Sequence, residues 1–223
     1  MIKKLYPYRF ELFLFTQLAI LFGSLIIPIA LFDRLILPLL FLSNLLAGIV
    51  FISKRKFLFW LFTISILLLT VVLLLTYFKV GDAKVNDLLK MGILFPFFII
   101  VTLEIIRQVL HAKIVNKTVI LGLISGYISL GLIGTFLFIS IEMMSPGSFS
   151  GITDTTHWVA DTGNLMYFSY ITLMTIGYGD VFPLSLLAKK ATILIGLIGQ
   201  FYLVIITVVV VAKYIRSQEQ NGL

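Results

Sequence analysis

The chain has 223 residues, of which 60% are hydrophobic and 12% charged, and its mean hydropathy is +1.12. A soluble domain of this size cannot bury so much apolar surface, so most of it must face lipid or other helices. The sequence has no cysteine, which excludes disulfides and cysteine nucleophiles, and the net charge of +7 in so apolar a chain indicates basic membrane-flanking loops rather than nucleic-acid binding.

Six apolar segments are predicted to cross a membrane, because a helix needs roughly 20 apolar residues to span the hydrocarbon core. The second is a little shorter than the others and contains Pro38 and Asn44. In chain order the predicted spans are 10–32, 35–53, 57–78, 91–110, 118–141 and 190–212. Between the last two lies the apolar stretch NLMYFSYITLMT, which is too short to cross and predicts a re-entrant helix ending near Met174.

The lysines and arginines are divided unequally between the two sides of these spans. With the N-terminus inside, most of them fall on the cytosolic side, as basic residues do in membrane proteins. Both termini are therefore predicted to be cytosolic. The short termini and the absence of organelle signals favour the plasma membrane of a bacterial or archaeal cell.

The six residues 175–180, which follow the predicted re-entrant helix, read TIGYGD. Glycine adopts left-handed backbone angles without steric cost, so Gly177 and Gly179, alternating with larger residues, can turn consecutive carbonyl oxygens to one side. Such a row of oxygens can replace the hydration shell of potassium in a narrow pore, with the Thr175 hydroxyl as a further ligand. One strand cannot enclose an ion, so four copies around a symmetry axis are predicted.

This motif, preceded by Thr172 in TLMT and followed by Pro183, resembles the signature of the tetrameric potassium channels. The resemblance implies a potassium-selective channel that conducts K⁺ passively, with no organic cofactor and no enzymatic activity. It implies that K⁺ is held by the Thr175 hydroxyl and by four main-chain carbonyl oxygens, those of Thr175, Ile176, Gly177 and Tyr178. Tyr178 argues for potassium, because relatives with another residue at that position can conduct sodium too.

The same resemblance predicts an all-α integral membrane fold with six transmembrane helices, a re-entrant pore helix and a filter loop, assembled as a homotetramer. Residues 1–113 would form a peripheral four-helix domain, 114–217 the pore domain and 218–223 a short cytosolic tail. Membrane lipids are expected partners, nucleic acid is not, and a regulatory partner is left open. Three alternatives also stay open: a less selective cation channel, a secondary transporter, and a subunit that conducts only with partner chains.

Several residues around the motif are predicted to support the filter. Tyr167 could hydrogen-bond Asp180 and brace the outer mouth, or it could be an interfacial aromatic anchor. Glu142 stands at the outer end of the fifth span. The predicted supporting residues are Gly179, Asp180, Thr172, Tyr167 and Glu142.

The fourth predicted span lacks the regularly spaced basic residues of a voltage sensor, so strong voltage gating is not expected. Glu104 and Arg107 near its cytosolic end could brace the pore or anchor the helix end, and we favour the anchor. In the last span, Gly196 and Gly199 could bend the helix or allow close packing. Below them, a gate is predicted at Ile205, Val208 and Val211.

Overall fold

A computed structural model describes residues 6–52, 56–112, 117–152 and 158–220 of the chain. The long helices within these ranges are α1 (Arg9–Phe22), α2 (Leu37–Ile52), α3 (Lys56–Tyr77), α4 (Ala83–His111), α5 (Lys117–Met144), α6 (Trp158–Leu173) and α7 (Leu186–Gln220). Shorter helical turns lie at Tyr6–Tyr8, Gly23–Leu25 and Ile29–Leu31, and a π-helical stretch lies at Phe32–Ile36. Two antiparallel strands of two residues each, β1 (Phe149–Ser150) and β2 (Phe182–Pro183), complete the described fold.

Among the described residues, five helical segments are long and apolar enough to cross a membrane: Tyr6–Leu25, Lys56–Tyr77, Ala83–His111, Lys117–Met144 and Leu186–Ile205. The second predicted span corresponds to a shorter apolar helix, Leu37–Phe51. The all-α membrane fold is thus confirmed. The re-entrant segment is α6, which lies between α5 and α7 and ends at Leu173, close to the predicted end.

The first predicted span, 10–32, is too long, because α1 ends at Phe22. Pro28 interrupts the helix: it lacks a backbone N–H, and its ψ of 131° is extended. Gly23 lies against the Phe32 ring, where any side chain would overlap the ring, so the chain turns back tightly there. The following span then begins with the turn at Ile29–Leu31 instead of at residue 35.

The fourth helix starts earlier than predicted, at Ala83 instead of residue 91. Asp82 caps it, since the Asp82 carboxylate accepts a hydrogen bond from the Lys84 backbone N–H at 2.9 Å. Lys90 falls just outside the predicted span 91–110, where a charged residue is typical of a loop, but it is buried in this helix and pairs with Asp87 at 2.8 Å. The last helix is longer than predicted as well: α7 continues through Gln220, so the described part of the tail at 218–223 is helical.

The first four helices pack around one face of α5. Helices α1 and α4 contact α5 directly, α2 packs on α1, and α3 packs on α2 and α4. The centre of this packing is aromatic: Phe98 of α4 stacks on Phe136 of α5 at 5.3 Å between ring centroids, and Phe41 of α2 approaches the same ring at 5.5 Å. Helices α6 and α7 also pack on α5. Helix α5 therefore joins the peripheral helices to the segment that carries TIGYGD.

Candidate functional site

Helix α6 is seated in a notch on α5 that two glycines create. A side chain at Gly131 would overlap the Tyr170 ring, and one at Gly134 would overlap the Ser169 hydroxyl. Two hydrogen bonds fix this seat, from Ser169 Oγ to the Gly131 carbonyl and from Tyr170 Oη to the Ile128 carbonyl, both at 2.7 Å. These contacts set the position from which the loop after α6 departs.

The loop 174–180 begins directly at the carboxyl end of α6. Its first amides bond back to the last turn: Thr175 N–H donates to the Thr172 carbonyl at 3.0 Å and Ile176 N–H to the Ile171 carbonyl at 2.8 Å. Gly177 N–H also points at the Ile171 carbonyl, at 3.3 Å. The carboxyl end of a helix carries a partial negative charge, which favours a cation in front of it.

The backbone of the loop alternates in the sign of φ. The φ angles of Thr175, Gly177 and Gly179 are +59°, +56° and +85°, while Ile176 and Tyr178 have negative φ. The positive φ of the two glycines agrees with the sequence analysis. The positive φ of Thr175 was missed, because a β-branched residue rarely adopts it; such strain is typical of functional sites. An alternation of this kind can turn successive carbonyl oxygens toward one side.

One side of this loop has no covering within its own chain. Ile176 is 46% exposed and Tyr178 is 73% exposed. Side chains added at Gly177 or Gly179 would meet no atom within 4 Å. Two large apolar or aromatic residues are thus left uncovered by the chain that carries them.

The outer end of the loop is tied back to α6 by one hydrogen bond. Tyr167 Oη donates to an Asp180 carboxylate oxygen at 2.7 Å. This bond raises the pKa of Tyr167 to about 12 and lowers the pKa of Asp180 below its ordinary value. Of the two interpretations of Tyr167, the structure contains the contact that the bracing one requires.

Glu142 supports the segment outside the loop and does not touch the loop itself. Its carboxylate is buried and accepts the backbone N–H groups of Gly147 and Phe149. Phe149 begins β1, which pairs with β2 immediately after TIGYGD, with Phe149 opposite Pro183. The backbone N–H of Leu184 adds a bond to the Ser148 carbonyl at 2.7 Å, so Glu142 acts on the exit of the loop through the strand pair.

The base of the loop contacts α5 and α7 at one carbonyl group. The Leu173 carbonyl accepts a hydrogen bond from Tyr127 Oη at 3.2 Å. Gly199 of α7 lies against the same carbonyl so closely that a side chain there would overlap it, whereas one at Gly196 would meet no atom within 4 Å. The structure therefore favours close packing for Gly199. Tyr202 Oη holds α7 to the Leu123 carbonyl of α5 at 2.7 Å.

The sequence analysis did not identify Tyr127, Tyr170 and Tyr202 as residues that hold the helices of the site together. A phenolic hydroxyl at membrane depth must find a partner, which is the signal that could have identified them. The predicted gate residues do not meet any of these groups: Ile205, Val208 and Val211 are exposed on α7 in the single chain.

The polar end of α4 joins other peripheral helices. Glu104 pairs with Arg107 at 3.4 Å and accepts a hydrogen bond from Gln108 at 3.2 Å. Gln108 in turn accepts from Arg9 of α1 at 3.1 Å and donates to the Phe51 carbonyl of α2. These contacts agree with the anchor interpretation, because they connect Glu104 to α1 and α2.

A short helix between two apolar helices long enough to cross a membrane, followed by a loop of alternating φ, is the arrangement that the sequence analysis predicts for a pore-loop channel. Residues 123–217 match a protein-family model described as "Ion channel". Over 54 residues, 24% of this chain, the sequence is 46% identical to "Two pore potassium channel c" of Oryza sativa subsp. japonica. The match spans 11% of that relative's length, and no solved structure matches the chain.

The family match and this relative confirm the resemblance predicted from TIGYGD. The helices long and apolar enough to cross a membrane indicate a multi-pass membrane protein, and its residues 123–217 are similar to the ion-channel family.

Proposed function

We propose that this protein is a potassium-selective channel that conducts K⁺ passively. The observation that carries the proposal is the alternation of positive and negative φ from Thr175 to Gly179. Oxygens turned to one side in this way can replace the water around a dehydrated K⁺ ion. The ligands in this proposal are the Thr175 hydroxyl and the carbonyl oxygens of Thr175, Ile176, Gly177 and Tyr178.

The uncovered surface of the chain supports a homotetramer. Ile176 and Tyr178 are exposed in the single chain, next to the glycines whose open side would face the ion. Only 22% of the most apolar window of α7 is buried, against 67% for α5, so most of α7 needs a partner or lipid. Four copies around one axis would enclose the ion and cover these residues.

The orientation in this proposal has both termini in the cytosol of a bacterial or archaeal cell and TIGYGD toward the outer side of the plasma membrane. The basic ends of the helices support it. The proposed domains remain a peripheral unit at 1–113 and a pore unit at 114–217, in which Ile205, Val208 and Val211 narrow the inner mouth.

Charge pairing within α4 supports channel opening without strong voltage dependence. A charge that crosses the whole field gains ~2.3 kcal/mol per 100 mV. Lys90 pairs with Asp87, and Arg107 pairs with Glu104, each within the same helix. If α4 moves, both members of a pair move together, so their contributions cancel. The opening stimulus would then act on the loop, on α7, through lipid or through a partner.

Purified protein reconstituted in liposomes tests this proposal. We expect K⁺ flux that is blocked by barium, and a reversal potential in mixed K⁺ and Na⁺ that follows the K⁺ gradient. A reversal potential near zero would indicate a less selective cation channel. Flux that saturates and requires a second ion would indicate a transporter, and no flux from a correctly assembled tetramer would indicate a need for partner chains.

A further inference from the structure

Four helices bury an uncharged polar side chain near the contact between the peripheral helices and α5. Three of these side chains have no exposed surface and the fourth is 2% exposed. Among the described residues each carries one oxygen without a hydrogen-bond partner; these atoms are Gln17 Oε1, Asn44 Oδ1, Thr102 Oγ1 and Ser125 Oγ. Unpaired polar atoms are especially unfavourable inside a membrane protein, where lipid offers no alternative partner.

The orientations of the two amide groups are fixed by their neighbours. Gln17 Nε2 donates to the Ser125 carbonyl at 3.3 Å and to the Ser129 hydroxyl at 2.7 Å. Asn44 Nδ2 donates to the Phe13 carbonyl at 3.4 Å. A carbonyl only accepts, so in both cases the amide nitrogen must face it. Both amide oxygens therefore point away from these bonds and still need donors.

Two of the four unpaired groups lie beside neighbouring residues of α1. Gln17 reaches the α5 turn that holds Ser129. Asn44 of α2 donates to Thr16, the residue beside Gln17 in α1, at 2.7 Å. Asn44 of α2 is thus held next to the residue of α1 that precedes Gln17.

The Thr102 hydroxyl of α4 approaches the same turn of α5. Ile105 of α4 lies against Gly126 of α5. The two helices run in opposite directions, so one turn back along α4 corresponds to one turn forward along α5. Thr102 therefore lies level with Ser129, which already binds Gln17.

We infer that ordered water occupies this layer and joins the four side chains. A water molecule has two hydrogens to donate to the amide oxygens, and its own oxygen can accept from the Thr102 or Ser125 hydroxyl. Buried waters typically make about three such bonds to groups that otherwise lack partners. All four side chains are uncharged, so a cation here would lack a counter-charge, whereas water needs none. The peripheral helices are then attached to the pore domain through a hydrated layer.

The direction in which Thr102→Val shifts the thermal unfolding midpoint tests this inference. Thr102→Val keeps the shape of the side chain and removes its hydroxyl. If water binds the hydroxyl, the substitution breaks a bond and lowers the thermal unfolding midpoint. The matched control is Thr135→Val, because the buried Thr135 hydroxyl bonds to the Gly131 carbonyl at 2.9 Å and its loss should lower the midpoint in any case. A Thr102→Val protein with a raised midpoint would show a dry, unpaired hydroxyl and overturn the inference.

Two further measurements distinguish water from an ion, and the second of them does not depend on a variant that folds. The midpoint difference between Thr102→Val and the parent should be equal in KCl and NaCl; a cation-dependent difference would overturn water as the occupant. A density map of the unsubstituted full chain that shows ordered water should contain a peak within hydrogen-bond distance of Gln17 Oε1, and empty space there would also overturn it. Ion flux enters neither test, so their outcome is independent of the channel proposal.

Discussion

Replacing Gly177 with alanine tests whether the loop needs its left-handed backbone. A side chain at this position meets no atom within 4 Å, so steric overlap with neighbours adds nothing to the free-energy cost of alanine. The φ of +56° does add to this cost, because adopting it costs a residue with a Cβ atom about 1–2 kcal/mol. In the proposed tetramer the sum over four copies is about 4–8 kcal/mol, and each 1.4 kcal/mol is about a tenfold change in population.

We therefore expect Gly177→Ala to reduce K⁺ flux in liposomes by about a thousandfold or more while the helices still fold. The matched control is Gly163→Ala, because Gly163 has equally open surroundings but lies in helix α6, outside the positive-φ region. Alanine there should leave flux unchanged and stabilise the helix by about 0.5–1 kcal/mol. A Gly177→Ala channel with parental flux and parental K⁺ preference would refute the reasoning.

Three other predictions concern the supports of the loop. Gly199→Ala should destabilise the protein by about 1–3 kcal/mol in thermal unfolding, because it overlaps the Leu173 carbonyl, whereas Gly196→Ala in open space should not; equal effects would contradict the packing interpretation. Glu142→Gln replaces one acceptor oxygen with a donor that faces a backbone N–H, so a loss of about 1–3 kcal/mol is expected, and an unchanged midpoint would refute that role. Tyr167→Phe should remove the cause of the lowered Asp180 pKa. The bond stabilises the fold above the unfolded pKa of about 3.9 and loses this effect as pH falls through the lowered folded pKa. Because the same bond raises the pKa of Tyr167 to about 12, the midpoint difference between parent and variant should be constant between about pH 5 and pH 9 and shrink in stronger acid and in stronger base, and a pH-independent difference would contradict it.

The parts of the fold that depend on local chemistry were predictable from the sequence. Continuous apolar stretches predicted the spans, and the short stretch before TIGYGD predicted α6. The two glycines of the motif predicted their own positive φ, because glycine is the residue that adopts it freely.

The predictions from sequence were wrong or undecided where a contact with another residue determines the local structure. Hydropathy continues through residues 23–28, so the turn that Pro28 and the Gly23–Phe32 contact impose was hidden. Lys90 falls just outside the predicted span 91–110, but its pairing with Asp87 allows burial in α4. For the same reason the two interpretations of Gly199 stayed open until the Leu173 carbonyl was seen beside it.

The meeting of three helices at the Leu173 carbonyl has a mechanical consequence. Tyr127 of α5 donates a hydrogen bond to this carbonyl, and Gly199 of α7 packs against it. The first amides of the loop bond to the last turn of α6, next to the same carbonyl. Because Gly199 has no side chain, the backbone of α7 contacts the Leu173 carbonyl directly. A tilt of α7 would therefore move this carbonyl, and with it the start of the loop. In the proposed channel, widening the cytosolic mouth and shifting the filter loop would consequently be one movement.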